Sequence, residues 1–234
     1  MPSKSNYLLL FPFLLCHTTI LASDPDPVQD FCIPDTKPGI PDTKPGSRRP
    51  ARFNIPPCKN SSEATPDDFV FSGIKAAGNF SDTGLSTIPV NPTRFPGLNT
   101  LGMSFLRADL AVGGINAPHF HPRATEIVYV VQGSVYSGFV DSTNRVFAKV
   151  IRSGEVMVYP RGLVHFQMNV GESPATVFGC FNSQNPGSQK IPSAIFGSGI
   201  KDDLLEKAFG LSHRQVAAMR RRLAPKRLED DLIT

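Results

Sequence analysis

From Phe69 to Phe181 the sequence consists of short β-prone runs separated by turn residues such as Ser153-Gly154 and Arg161-Gly162. Regular spacing of this kind is typical of an antiparallel barrel or jelly roll, because each strand needs only a short connection to the next. The sequence therefore predicts an all-β domain. The predicted strands cover residues 100–110, 126–132, 134–140, 146–151, 155–159, 164–169 and 175–181.

The C-terminal part has a different pattern, with helical rather than alternating periodicity. Val216, Met219 and Leu223 recur at helical spacing and form an apolar stripe. This stripe must be buried, and either the flank of the barrel or a neighbouring subunit could cover it. Predicted helices cover residues 192–196, 202–209 and 212–223.

The N-terminus has the features of a secretory signal. Lys4 is its only charge, an apolar run follows over 7–15, and small residues end at Ala22, where we place cleavage. The apolar run is too short to span a bilayer, and we expect no other membrane span.

The net charge of +4 is not gathered into a basic stripe except near the C-terminus, so nucleic-acid binding is not indicated. The predicted division is a signal peptide at 1–22, an N-terminal extension at 23–68, a barrel at 69–190 and a helical region at 191–234.

Export changes the interpretation of the four cysteines. Cys16 is removed with the signal. Cys32 and Cys58 flank a segment rich in proline and glycine, and a disulfide between them would tie this segment down. Cys180 lies in an apolar run, which predicts a buried and inert thiol.

Two further features lie in the first eighty residues. The tandem repeat at 33–46 contains two prolines and one glycine per unit, which predicts a turn-rich surface loop. Asn60 and Asn79 begin N-x-Ser sequons, so both are candidate N-glycosylation sites in an exported chain.

Three side chains suited to metal binding lie close together in the sequence. His119 and His121 are two residues apart, so in a strand both side chains point to one face. Glu126 has the wrong parity for the same unbroken strand. Pro122 removes a donor from the strand ladder and permits a bend or bulge, after which Glu126 turns inward.

A fourth ligand candidate, His165, lies in a distant run on the same face as Gln167 and Asn169. Three neutral imidazoles and one carboxylate would leave a divalent ion with a net charge near +1. A six-coordinate ion would keep two positions for water or substrate, as suits manganese, iron or another first-row metal. The alternative is that these are ordinary core or surface histidines, but three of them fall in patterned strands.

The two histidine segments match the paired motifs of the cupin superfamily and resemble in detail the germins and germin-like proteins of plants. The matched positions are Gly113, His119, His121, Glu126 and Gly133, followed by Gly154, Pro160, Gly162, His165 and Asn169.

This resemblance implies a cupin jelly-roll β-barrel whose C-terminal α-helices clasp a neighbouring subunit. It also implies homo-hexamers built as trimers of dimers, an extracellular location in the apoplast, and bound manganese. By matching positions, the manganese ligands are His119, His121, Glu126 and His165, and the disulfide joins Cys32 to Cys58.

The resemblance is compatible with more than one activity. Some members are manganese superoxide dismutases linked to defence, and here Asn116 is the nearest candidate for a polar group beside the metal. Germins that oxidise oxalate carry two asparagines beside the metal, but Leu106 occupies the second position and cannot donate a hydrogen bond, which disfavours oxalate oxidase. The non-enzymatic alternative is an extracellular receptor or wall-associated protein that binds cell-wall polymers and has a structural metal.

Overall fold

The computed structural model describes residues 29–35 and 57–223, so the predicted signal and most of the 33–46 repeat lie outside the described residues. Within the described part, ten strands form two five-stranded antiparallel sheets. The strands are β1 (Leu85–Val90), β2 (Ser104–Leu110), β3 (Ile115–Phe120), β4 (Glu126–Gln132), β5 (Ser134–Val140), β6 (Val146–Arg152), β7 (Val156–Tyr159), β8 (His165–Asn169), β9 (Ala175–Phe181) and β10 (Gln189–Lys190).

The two sheets pack face to face around one apolar core, which confirms the prediction of an all-β jelly roll. The first sheet has the strand order β1-β2-β9-β4-β7 and the second has the order β10-β3-β8-β5-β6. Inward-pointing residues alternate with outward-pointing residues along each strand, so the core draws on both sheets. Its most deeply buried members include Leu110, Val130, Val135 and Ala175.

Three of the observed strands lie outside the predicted runs: β3, which is the strand assumed for His119, and β1 and β10, which were not predicted. Strand β2 is shorter than predicted. The short strand β10 and the proline-containing strand β1 both lie at sheet edges, where Pro89 interrupts no central ladder. Strand β2 begins at Ser104 rather than at residue 100. Thr100 has φ of 67°, a left-handed conformation that belongs to the preceding turn.

The prediction that Cys180 is buried is wrong. Gly179 and Phe181 face the core, so the intervening thiol faces out, where it lies beside Ile127 and Phe105 of the adjacent strands. The run is apolar at every position because the outer face of the first sheet is apolar as well. Strand parity, rather than hydrophobicity, decides the burial of this cysteine.

Three helices follow the barrel, and their bounds lie within one residue of the predicted ones. Val216 is fully buried against Phe196 and Leu205 of the two preceding helices. The apolar stripe of the last helix is therefore covered by the other helices rather than by the barrel flank, and Met219 remains 40% exposed. The helices are α1 (Ile191–Phe196), α2 (Asp202–Phe209) and α3 (His213–Leu223).

The N-terminal extension is closed by an internal disulfide and is hydrogen-bonded to the segment before β2. Cys32 and Cys58 form the expected disulfide. The Cys32 carbonyl accepts a hydrogen bond of 2.8 Å from the side chain of Asn99, which links the extension to the segment before β2. The sequon residues Asn60 and Asn79 are both exposed, and their glycosylation stays a prediction. No helix within residues 29–35 and 57–223 is long and apolar enough to cross a membrane.

We expect the Cys32→Ser, Cys58→Ser double variant to unfold at a lower temperature. The bond closes a loop over a sequence separation of 26, and its loss should reduce stability by about 3 kcal/mol, equivalent to a fall of roughly 6–12 °C in the unfolding midpoint. Calorimetry measures this midpoint. The control is Cys180→Ser, because this thiol is exposed and unpaired. A double variant as stable as the parent would contradict the prediction.

Candidate metal centre

The structure brings the four predicted ligands together between the two sheets. His119 on β3 lies directly opposite His165 on β8, and His121 follows immediately after β3. Glu126 begins β4 in the other sheet. The candidate donor atoms all lie within 4.8 Å of one another, and all four residues are buried.

The parity problem at Glu126 is resolved by a bend rather than by a bulge. The chain leaves the second sheet after Phe120, turns at Pro122 and Arg123, and enters the first sheet at Glu126. The ligands on either side of Pro122 therefore approach the centre from opposite walls of the barrel. A separate shift in strand register lies earlier, between Asn116 and His119.

Main-chain carbonyls orient all three imidazole rings. The Nδ1 atom of His119 lies 2.8 Å from the Ala117 carbonyl, and the Nδ1 atom of His165 lies 2.9 Å from the Leu163 carbonyl. His121 makes the same kind of contact with the carbonyl of Gly187. A carbonyl only accepts hydrogen bonds, so each ring must carry its proton on Nδ1, which leaves the Nε2 lone pair for a metal.

Two buried polar atoms at the centre have no hydrogen-bond partner, namely Glu126 Oε2 and His165 Nε2. They lie only 3.2 Å apart, and with its proton on Nδ1 the His165 ring has no hydrogen on Nε2 to donate to the carboxylate. Two ligands that bind one ion at about 2.1 Å and at right angles lie about 3.0 Å apart. The spacing and the unmet hydrogen-bonding capacity both fit a shared cation.

The electrostatic environment keeps two of the ligands, His119 and Glu126, in their metal-binding forms. Burial lowers the pKa of His119 to about 4, and the nearby His165 and His121 act in the same direction. Burial alone would raise the pKa of Glu126, but interactions with His121 and His165 lower it to about 2. His119 is therefore neutral and Glu126 ionised at neutral and mildly acidic pH.

Gly179 provides the space that the Glu126 carboxylate occupies. A Cβ atom at position 179 would come within 2.6 Å of Glu126 Oε1. Real Cβ atoms do not tolerate such a distance, so the carboxylate would have to move. This glycine on β9 therefore helps to fix the position of the one acidic ligand.

A buried hydrogen-bond network lies behind the ligands. Asn116 donates to Gln167 over 2.7 Å, Gln167 donates to the Tyr159 hydroxyl over 3.1 Å, and that hydroxyl contacts Ser137. The Tyr159 ring also stacks on His165, with ring centroids 4.4 Å apart. Burial raises the pKa of Tyr159 to about 12, so this hydroxyl remains protonated. The network holds both Asn116 and His165 in place.

A cavity of about 330 Å³ opens beside the metal centre. Asn116, His119 and His121 contribute polar groups to its wall, while Leu106 and Phe181 contribute apolar groups. Leu106 is therefore an apolar part of the cavity wall.

Several residues at the centre were not identified from the sequence. Gly179 and Tyr159 have inward strand parity, and this signal could have found them. The carbonyl of Gly187 had no comparable signal, because main-chain acceptors do not depend on residue type.

Comparisons with known proteins identify relatives along most of the chain. A family model described as Cupin matches residues 72–217. The chain is 61% identical over 218 residues to germin-like protein subfamily 3 member 2 of Arabidopsis thaliana, covering 93% of this chain and 92% of that protein. It is 51% identical to germin-like protein 2-4 of Oryza sativa subsp. japonica, covering 96% of each. Among solved structures, recombinant oxalate oxidase in complex with glycolate matches with a TM-score of 0.76 and 39% identity, covering 86% of this chain and 98% of that one.

We expect Gly179→Ala to weaken metal binding by roughly 10- to 100-fold, the usual effect of disturbing the support of a metal ligand. The added methyl group would displace the Glu126 carboxylate. A competition titration against a chelator measures the affinity. The matched control is Cys180→Ala, one residue further along the same strand but on the outer face. Unchanged affinity in Gly179→Ala would contradict the role of Gly179 in fixing the carboxylate.

Proposed function

Because the chain belongs to the germin-like proteins of the cupin superfamily, we propose that it is a secreted manganese protein of the plant extracellular matrix that dismutes superoxide. The observation that carries the proposal is the buried cluster of three histidines and one glutamate whose free donor atoms face a common point. The signal-like residues 1–22 and the disulfide support export. Hydrogen peroxide released outside the cell would serve in defence.

The donor set favours manganese over metals that prefer sulfur. The cluster contains three imidazoles, one carboxylate and no thiolate. Imidazole and carboxylate ligands together suit Mn(II), and four protein ligands leave two positions of an octahedral ion open. One carboxylate reduces the charge of a divalent ion to about +1, which still attracts an anion such as superoxide.

The residues around the metal have distinct tasks in this proposal. A bound manganese would supply the one-electron change between Mn(II) and Mn(III) through which one superoxide is oxidised to dioxygen and a second is reduced, with two protons, to hydrogen peroxide. The histidine Nε2 atoms and Glu126 hold the ion. Asn116 lines the approach to the centre, and Gln167 fixes its amide so that it can hydrogen-bond to an incoming anion.

Oxalate oxidation is the second candidate, because solved structures of oxalate oxidase match 86% of the chain at 39–40% identity. Asn116 remains available to a carboxylate in the cavity. Leu106 argues against this activity, since the loss of one hydrogen bond to a charged group costs about 1.5–3 kcal/mol of binding.

The exposed apolar surfaces support a homo-hexamer built as a trimer of dimers. Such an assembly has two kinds of interface, and the described part of the chain presents two apolar surfaces that could form them. One is the outer face of the first sheet, where Ile127 and Val158 are paired across the strands and each is at least half exposed. The other lies on the helices, where Leu204 and Phe209 are at least half exposed.

We expect Ile127→Lys with Val158→Lys, and separately Leu204→Lys with Phe209→Lys, to produce smaller assemblies than the parent. Burying a lysine in either interface without a partner is unfavourable. Light scattering after size-exclusion chromatography measures the mass. The control is Val112→Lys, which changes an exposed apolar residue in a turn. A parent protein that is monomeric would refute the hexamer.

We expect the purified protein to contain manganese and to dismute superoxide faster than the same concentration of free Mn²⁺. The His119→Ala, His121→Ala double variant should lose both properties, with metal affinity reduced by more than roughly 100-fold. Mass spectrometry of the metal and a superoxide assay on the same sample measure these effects. The control is His213→Ala, because His213 is exposed and pairs with Glu206, away from the metal centre.

Each other result points to a different function. Manganese-loaded protein no better than free Mn²⁺ would refute the dismutase. Peroxide released from oxalate would favour oxalate oxidase instead. Unchanged binding of a cell-wall polymer by the double variant would favour the wall-associated protein with a structural metal.

A further inference from the structure

The cavity beside the metal centre is larger than superoxide requires. Its volume of about 330 Å³ lies at the lower end of the range for pockets that hold organic ligands. A diatomic anion would fill only a small part of it. The remaining space is bounded by side chains whose chemistry restricts what a larger ligand can be.

The charges around the cavity favour an anion. Among the described residues that line it, Lys190 is the one with a permanently charged side chain, and no aspartate or glutamate contributes to the wall. A divalent ion held by one carboxylate would add a net charge near +1 at the inner end. An anionic group would therefore find an attractive potential along the cavity.

The apolar part of the wall, next to the metal centre, offers no partner for a second charged end of the ligand. Leu106 pairs in register with Gly179, the residue that makes room for Glu126, so its side chain lies close to the metal centre. Phe181 packs edge-on against His121, with ring centroids 4.8 Å apart. A second carboxylate placed against these side chains would lose water without gaining a hydrogen bond.

We propose that the cavity binds a small organic monoanion whose oxygen end faces the metal centre and whose apolar body lies against Leu106 and Phe181. This inference rests on the proposed metal-binding function and extends it to a ligand class. Leu106 is the residue that selects a monoanion with an apolar body over a dicarboxylate such as oxalate.

The test measures the dissociation constants of acetate, butanoate and hexanoate on manganese-loaded protein by calorimetry. Each methylene group that enters the apolar part of the cavity should tighten binding by up to about fourfold. The metal-free protein is the control and should bind all three anions weakly. If affinity does not rise from acetate to butanoate and hexanoate, the proposal is wrong, even if all three bind to the metal.

Two substitutions at one position test the assigned role of Leu106. Leu106→Asn replaces an apolar contact with a hydrogen-bond donor, so the ratio of oxalate affinity to hexanoate affinity should rise at least tenfold. Leu106→Met keeps an apolar side chain of similar volume and should preserve the ratio of the parent. An unchanged ratio of affinities in Leu106→Asn would show that Leu106 does not select between the two ligands. The chain-length series on the parent protein does not depend on the folding of either variant.

Metal analysis of the same samples separates this inference from the proposed function. Protein that contains no metal would refute the metal-binding function and the ligand proposal together. Metal-loaded protein with no dependence on chain length would refute only the ligand proposal.

Discussion

The structure depends on three imidazole rings held with their Nε2 atoms facing a single carboxylate inside the barrel. No residue in the described part of the chain forms a hydrogen bond with His165 Nε2 or Glu126 Oε2, although both atoms are buried. Such an arrangement is unfavourable in an apo protein and becomes favourable when a cation binds. The two sheets, the bend at Pro122 and the glycine at position 179 all serve to bring these donors to one point.

Much of the barrel and of the site could be predicted because strand alternation is a local property. Residues two apart share a face, so the inward positions of His165, Gln167 and Asn169 follow from the sequence once a strand is assumed. The same rule showed that Glu126 needed a change of direction after His121. The structure provides this change by crossing from one sheet to the other.

Other features could not be predicted because they depend on which elements of the fold pack against a residue, and the local sequence does not contain this information. Cys180 lies in an apolar run, yet it is exposed because the outer face of its sheet is also apolar. The stripe around Val216 required a covering surface, and periodicity could not identify it as the two preceding helices. The edge strands β1 and β10 are defined by their neighbours more than by their own composition.

The hydrogen bonds from the histidines to main-chain carbonyls have a consequence for mutational tolerance. The acceptors at positions 117 and 163 belong to the peptide backbone, so replacement of either side chain leaves the acceptor in place. The third acceptor belongs to Gly187, whose φ of 68° other residues adopt with strain. The orientations of His119 and His165 thus tolerate side-chain replacement at positions 117 and 163. The orientation of His121 can be disturbed by a single substitution at Gly187, which lies outside the ligand motifs.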